Sequence, residues 1–159
     1  MRRLITHSIA ALLVCLAACT KSTSHQENNS NNQKTKTMKN LISIIEIPTS
    51  DFARAVNFYQ TILGVTIEEI DMAGTQMGVL PSDCETVNVV LVKGEEYKPT
   101  TDGSVLYLNA GYNLQPMLDK VAQSGGQVLV PKTEISPEMG FFALFLDTEG
   151  NKLGLHSSH

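Results

Sequence analysis

The sequence predicts an α+β domain made of two βαβββ units that pair around a small-molecule cup. Three observations carry this. A short β-branched run, an amphipathic helix and three further short apolar runs follow one another between Leu41 and Lys93. The same order recurs between Val105 and His156. Two helix-capping residues, Asp51 and Asn113, occupy equivalent places in the two halves. The repeat is one of architecture, with little repeat of sequence.

The first strand is read from Leu41 to Ile47, which is short, β-branched and closed by Pro48. Thr49-Ser50-Asp51 then supplies N-cap residues. Phe52, Ala55, Val56, Tyr59, Ile62 and Leu63 recur at helical spacing and form one apolar stripe. Of these, Phe52, Val56, Tyr59 and Leu63 are predicted to face the core. Gly64 ends the helix. Val65 to Ile70, Gln76 to Leu80 and Val87 to Lys93 complete the first unit as three strands.

In the second unit, Val105 to Leu108 is a strand and Asn113 caps a helix with Pro116 near its first turn. Leu114, Leu118, Val121 and Ala122 form the stripe, and Gly125-Gly126 stops it. Those glycines are no phosphate loop, because no Lys-Ser/Thr follows them. Gln127 to Val130, Phe141 to Leu146 and Lys152 to His156 are the remaining strands. The last two join through Asp147-Thr148-Glu149-Gly150-Asn151, a turn-forming cluster. One such unit leaves a sheet face uncovered. Pairing two units makes a concave site suited to a small molecule.

The segment ahead of this domain reads as an address. Met1-Arg2-Arg3 is positive, Ile9 to Ala18 is mostly apolar, and Leu16-Ala17-Ala18-Cys19 supplies small residues at a cut site. That is the layout of a secretory signal peptide, residues 1–18. The run is too short for a spanning helix, which needs about 20 apolar residues. Leu16-Ala17-Ala18-Cys19 also resembles a lipobox, which implies lipidation at Cys19. Residues 19–40 then form a polar tether with four lysines and one Glu. Such a stretch cannot bury enough apolar surface to fold. The expected location is the cell envelope, anchored by lipid at the outer membrane or the periplasmic face. Met38 directly precedes the domain and offers a second start, which would give a cytosolic protein.

Charge and cysteine count narrow the partners. From Leu41 onward there are fifteen acids and six bases. Phosphate binding needs a basic face, so nucleic acid is not an expected partner. Removing the signal takes Cys15, lipidation takes Cys19, and only Cys84 is left. No intrachain disulfide is then available. Cys84 stands between Asp83 and Glu85, which disfavour its thiolate, so it reads as structural.

Glu46-Ile47-Pro48, Asp51 to Tyr59, and Leu63-Gly64-Val65 together resemble the opening of vicinal oxygen chelate domains, the glyoxalase/bleomycin-resistance/dioxygenase superfamily. Asp147 to Ser157 resembles their closing hairpin. Gly125-Gly126, Pro131-Lys132-Thr133 and Gly140-Phe141 are similar to a glyoxalase-related subgroup of unsettled activity. The resemblance covers Leu41 to Ser158. It implies the paired-unit fold and a small-molecule ligand. It does not select a reaction, because this fold hosts isomerases, dioxygenases, thiol transferases and drug-binding proteins.

In metal-using relatives, His, Glu or Gln ligands come from the first and last strand of each unit. Counting from the matched motifs, those positions fall on Ile44, near Leu106, on Gly154, and within Val87–Val92, where Asn88 is the only polar side chain. No metal and no cofactor are therefore expected. Glu46 shares a strand face with Ile44, and His156 shares one with Gly154. Glu46 and His156 are the candidate acid–base pair. Glu46, Asn88, Phe141 and His156 are the candidate ligand contacts. The leading expectation is a lipid-anchored small-molecule-binding protein. Its rivals are a glyoxalase-like lyase or isomerase with Glu46 as general base, and a structural envelope protein. A homodimer is the remaining route to a shared metal site.

Overall fold

The computed structural model describes residues 42–83 and 86–159. Signal peptide, Cys19, tether and Cys84 lie outside the described residues. Among the described residues no helix is long and apolar enough to cross a membrane.

The first unit contains β1 (Ile44–Pro48), α1 (Phe52–Leu63), β2 (Glu68–Met72), β3 (Thr75–Val79) and β4 (Asn88–Lys93). The second contains β5 (Leu106–Asn109), α2 (Gln115–Gln123), β6 (Gln127–Ser136), β7 (Gly140–Leu146) and β8 (Lys152–Ser157). Two four-stranded sheets result, ordered β1-β4-β3-β2 and β5-β8-β7-β6. In each, the first strand runs parallel to the last, and the other neighbours are antiparallel. The two βαβββ units predicted from the sequence are therefore present, in one repeated strand order.

Local chemistry explains the elements. Asp51 is extended and its carboxylate accepts from the Arg54 N–H at 3.1 Å, so it caps α1. Phe52, Ala55, Val56, Phe58, Tyr59 and Ile62 of α1 are buried, and Leu63 is partly buried. Gly64 has φ +69°, where a side chain would be strained, and its N–H closes the helix on the Gln60 carbonyl at 2.9 Å. In α2, Leu118 and Val121 are buried.

Several boundaries differ from the sequence reading, three of them with a local cause. The second strand runs Glu68–Met72 in place of 65–70, moving toward the tight turn at Ala73-Gly74. β6 continues to Ser136, because register shifts absorb the irregular stretch around Pro131. Leu114 takes the formal N-cap position of α2, while Asn113 Oδ1 accepts the Gln115 N–H at 3.1 Å one residue earlier.

One core joins both units. Ile47, Leu91, Leu108, Ala143, Phe145, Leu153 and Leu155 present their side chains to α1 and α2. A second, smaller cluster of Met77, Val90 and Val92 lies on the opposite face of the first sheet. The turn before β8 ties the halves together. Buried Asp147 accepts from Tyr59 Oη at 2.7 Å, from the Asn151 N–H at 2.8 Å and from Asn151 Nδ2 at 2.9 Å. Asn151 Nδ2 also donates to the Pro48 carbonyl at 2.8 Å. Glu149 accepts the N–H groups of Ser50 and Asp51 at 2.8 and 2.7 Å, and Arg54 Nε at 2.8 Å. A carboxylate from the second unit thus sits at the start of the first unit's helix, where the helix dipole favours negative charge.

Burial pushes the Glu149 carboxyl up, but the Arg54 hydrogen bond and the Ser50 and Asp51 donors outweigh it and hold it at about 2. Burial and the adjacent Asp147 charge push the Tyr59 phenol well above its ordinary value, so it stays a donor.

Candidate functional site

Side chains on each sheet alternate between the helix face and the opposite, cup face. Register therefore decides which candidates meet. On the first sheet, Ile44 aligns with Asn88, Glu46 with Val90, and Pro48 with Val92. Val79 aligns with Val90, and Met77 with Val92. This row is the cup face, since Ile47 and Leu91 point into the helix-side core.

Much of that face is already covered. Tyr97, from the loop after β4, packs on Met77, Val90 and Val92 together with Ile44, Ile70, Met72 and Val79. Its hydroxyl donates to Glu46 Oε2 at 2.8 Å. The Tyr97 N–H bonds the Gly94 carbonyl at 3.1 Å, and a Cβ on Gly94 would lie 3.1 Å from the Tyr97 ring. Glu46 remains exposed, with its carboxylate engaged by this phenol. Asn88 Oδ1 accepts from Ser82 Oγ at 2.7 Å.

The second sheet presents a different surface. Tyr107 aligns with Gly154, and Gly154 with Leu144. Asn109 aligns with His156, and His156 with Phe142. Leu106 aligns with Leu153 and packs toward the core. This refines the position counted as near Leu106: the β5 residue there that faces the cup is Tyr107. Counting across the loop before Asn113 slipped by one residue, and a one-residue slip reverses the face.

Phe141 likewise turns to the helix side, where it packs on the core with Lys132 Nζ 4.5 Å from its ring centroid. The aromatic side chain facing the cup beside His156 is Phe142. His156 is exposed, and its Nε2 lies 2.8 Å from the Met139 carbonyl. A carbonyl can only accept, so Nε2 carries the proton and Nδ1 is the basic nitrogen of the neutral ring. Glu46 and His156 thus belong to different sheets, and each has a different hydrogen-bond partner.

These residues do not fit a resident metal. Among the described residues, no group of three His, Cys, Asp or Glu side chains could hold an ion. The donor set also fails position by position, because Ile44 and Gly154 offer no side-chain donor and Asn88 is a neutral amide. At Gly154 the space itself is taken. A Cβ there would fall among Cγ, Cδ1 and Cε1 of Tyr107, too close for real atoms. A glutamate at that position would have to evict the ring. Sequence reasoning missed both tyrosines: Tyr97 lies in a loop without a motif, and Tyr107 was hidden by the register slip.

Comparison with known proteins agrees with this architecture. The family model described as Glyoxalase/Bleomycin resistance protein/Dioxygenase superfamily matches residues 41–155. A glyoxylase-like domain-containing protein from Didymella fabae is 31% identical over 115 residues, which cover 69% of this chain and 88% of that protein. Among solved structures, a glyoxalase/bleomycin resistance protein from Albidiferax ferrireducens superposes with TM-score 0.59 at 15% identity, over 73% of this chain and 97% of that one. A glyoxalase I mutant from Zea mays gives TM-score 0.59 at 17% identity, over 73% of this chain and 46% of that one. The chain thus spans just under half the maize enzyme's length. A fosfomycin resistance protein mutant from Listeria monocytogenes, solved with Mn(II) and 1S,2S-dihydroxypropylphosphonic acid, gives TM-score 0.55 at 14% identity, over 77% and 92% of the two chains. At these identities the structural likenesses show the fold alone. With the family-model match and the Didymella relative beside them, the chain belongs to the glyoxalase/bleomycin resistance protein/dioxygenase superfamily.

Proposed function

We propose that this chain is a lipid-anchored protein that binds a small organic molecule and uses the superfamily fold without a resident metal. One observation carries the reading. Where the fold would supply metal ligands from β5 and β8, this chain has an aromatic ring lying on a glycine. A surface of Tyr107, Asn109, His156 and Phe142 offers apolar contact with a few polar groups, the usual make-up of a small-molecule site. Glu46 and Asn88 extend the candidate contacts onto the first sheet.

The enzymatic alternative is a lyase or isomerase with Glu46 as general base. It finds less support, because the Glu46 carboxylate accepts the Tyr97 hydroxyl and, among the described residues, has no imidazole partner. The address rests on Leu16-Ala17-Ala18-Cys19 and the polar tether behind it. Two or more acyl chains anchor a protein stably where one does not.

Two measurements test the proposal. Native mass spectrometry of the purified chain should find a small organic molecule bound, released on denaturation. Fractionation should find the wild-type protein in membranes and Cys19→Ser released from them. A wild-type chain that is soluble in the cytosol and begins at Met38 contradicts the anchor.

A further inference from the structure

The contact between Tyr107 and Gly154 is more than a blocked ligand position. An ideal Cβ on Gly154 comes close to three consecutive ring carbons, with Cγ at 2.8 Å. A ring meeting the strand edge-on would bring two carbons close and leave Cγ much farther out. Simultaneous approach of all three means that the ring lies face-down on the glycine backbone. Yet Tyr107 is 46% exposed. One ring face is therefore packed against the sheet, and the surface left exposed includes the other. Glycine is what allows this, because any side chain at residue 154 would lift the ring.

The surroundings add a polar direction. His156 lies two residues from Gly154 on the same strand face, about 6–7 Å away. That is within the length of a two-ring molecule. With Nε2–H directed to the Met139 carbonyl, Nδ1 is the nitrogen able to accept a hydrogen bond. Phe142, opposite His156, extends the aromatic surface.

We propose that Tyr107 is a preformed stacking platform seated on Gly154, and that the site takes a planar aromatic or heteroaromatic ligand whose O–H or N–H is accepted by His156. This rests on the small-molecule-binding reading and names the ligand's class. Offset stacking favours a flat ring over a saturated body of equal size, through the ring quadrupole and close dispersion contact. A ring already seated on the sheet limits the ordering cost of binding.

The test uses the full chain, carrying Cys19→Ser in every arm so that detergent is not needed. The probes are 2-naphthol and its saturated analogue decahydro-2-naphthol, titrated by calorimetry. They share size, hydroxyl group and apolar character, and differ in planarity. The expected result is that 2-naphthol binds at least several-fold more tightly than the saturated analogue. Tyr107→Phe should stay within about twofold of wild type, since the ring face is kept. Tyr107→Ala should lose about tenfold. Gly154→Val should show a similar loss although Tyr107 is still present, with circular dichroism confirming the fold. His156→Ala should lose about three- to tenfold, the worth of one hydrogen bond. Equal binding of the two probes, or an unchanged affinity in Tyr107→Ala, would overturn the platform while leaving small-molecule binding intact. If wild type binds neither probe at millimolar concentration, the platform falls. If native mass spectrometry also finds no bound molecule, the binding reading falls with it.

Discussion

The two sheets share one strand order and use their cup faces in opposite ways. On the first, Met77, Val90 and Val92 are buried beneath Tyr97, and the Glu46 carboxylate is bonded by that residue's hydroxyl. On the second, Tyr107, Asn109 and His156 are exposed in a cluster around a glycine. A repeated backbone therefore does not imply a repeated site. Covering one face adds a second small core to its unit. Leaving the other open keeps surface for a ligand. The helix faces show no such division, since both contribute to one core and are tied together at Asp147 and Glu149.

The largest effect should come from the feature the two units share. Tyr59→Ala removes a fully buried ring and one of the donors to buried Asp147, and should cost about 3–5 kcal/mol in chemical denaturation. Tyr59→Phe keeps the ring and loses only the donor, and should cost about 1.5–3 kcal/mol. A loss below about 1 kcal/mol for Tyr59→Ala would mean that the helix stripe and the clasp do not hold the halves together.

Glu149 tests the same clasp through pH. Its folded value of about 2 lies below the ordinary 4.5. A depressed carboxylate contributes stability that is fully present above about 4.5 and is lost as pH falls through the folded value. Stability should therefore drop by about 2–3 kcal/mol between pH 4.5 and 2 on this group's account. Glu149→Gln should lose a similar amount at neutral pH and show a flatter acid limb. Identical acid limbs in the two proteins would remove Glu149 from the clasp.

The two cup tyrosines give the sharpest contrast between the sheets. Tyr97→Ala uncovers Met77, Val90 and Val92 and should cost about 2 kcal/mol. Tyr107→Ala removes a half-exposed ring and should change stability by no more than about 1 kcal/mol, while weakening ligand binding. If the two variants exchanged behaviour, the division into a covered face and an open face would be inverted.

The fold was largely legible, because each element carries local chemistry. Asp51, the Phe52–Val56–Tyr59 stripe and Gly64 specify α1 without help from the rest of the chain. The linked turn at Asp147–Asn151 was readable as a turn. Its function as a clasp was not, since Tyr59, Ser50 and Arg54 are about 90 to 100 residues away in sequence. The site was less legible still. Glu46 and His156 do lie on cup faces, as strand periodicity suggested, and Asn88, named only as the polar residue of its strand, shares the face of Ile44 and Glu46. Leu106 points the other way, because period-two counting has no tolerance for a single-residue slip, and Phe141, which no counting had placed, packs on the helix-side core. Tyr97 reaches Glu46 only through the path of a loop, which no periodicity encodes.

Elemental analysis of the full chain, purified without chelator, tests the central claim most directly. With Ile44, Tyr107 and Gly154 at the positions that would carry ligands, the protein should hold far less than one transition metal per chain, with Glu46→Gln and His156→Ala no different from wild type. About one Zn, Ni, Fe or Mn per chain, lost in both variants, would contradict it and establish a displaced metal centre built on Glu46 and His156.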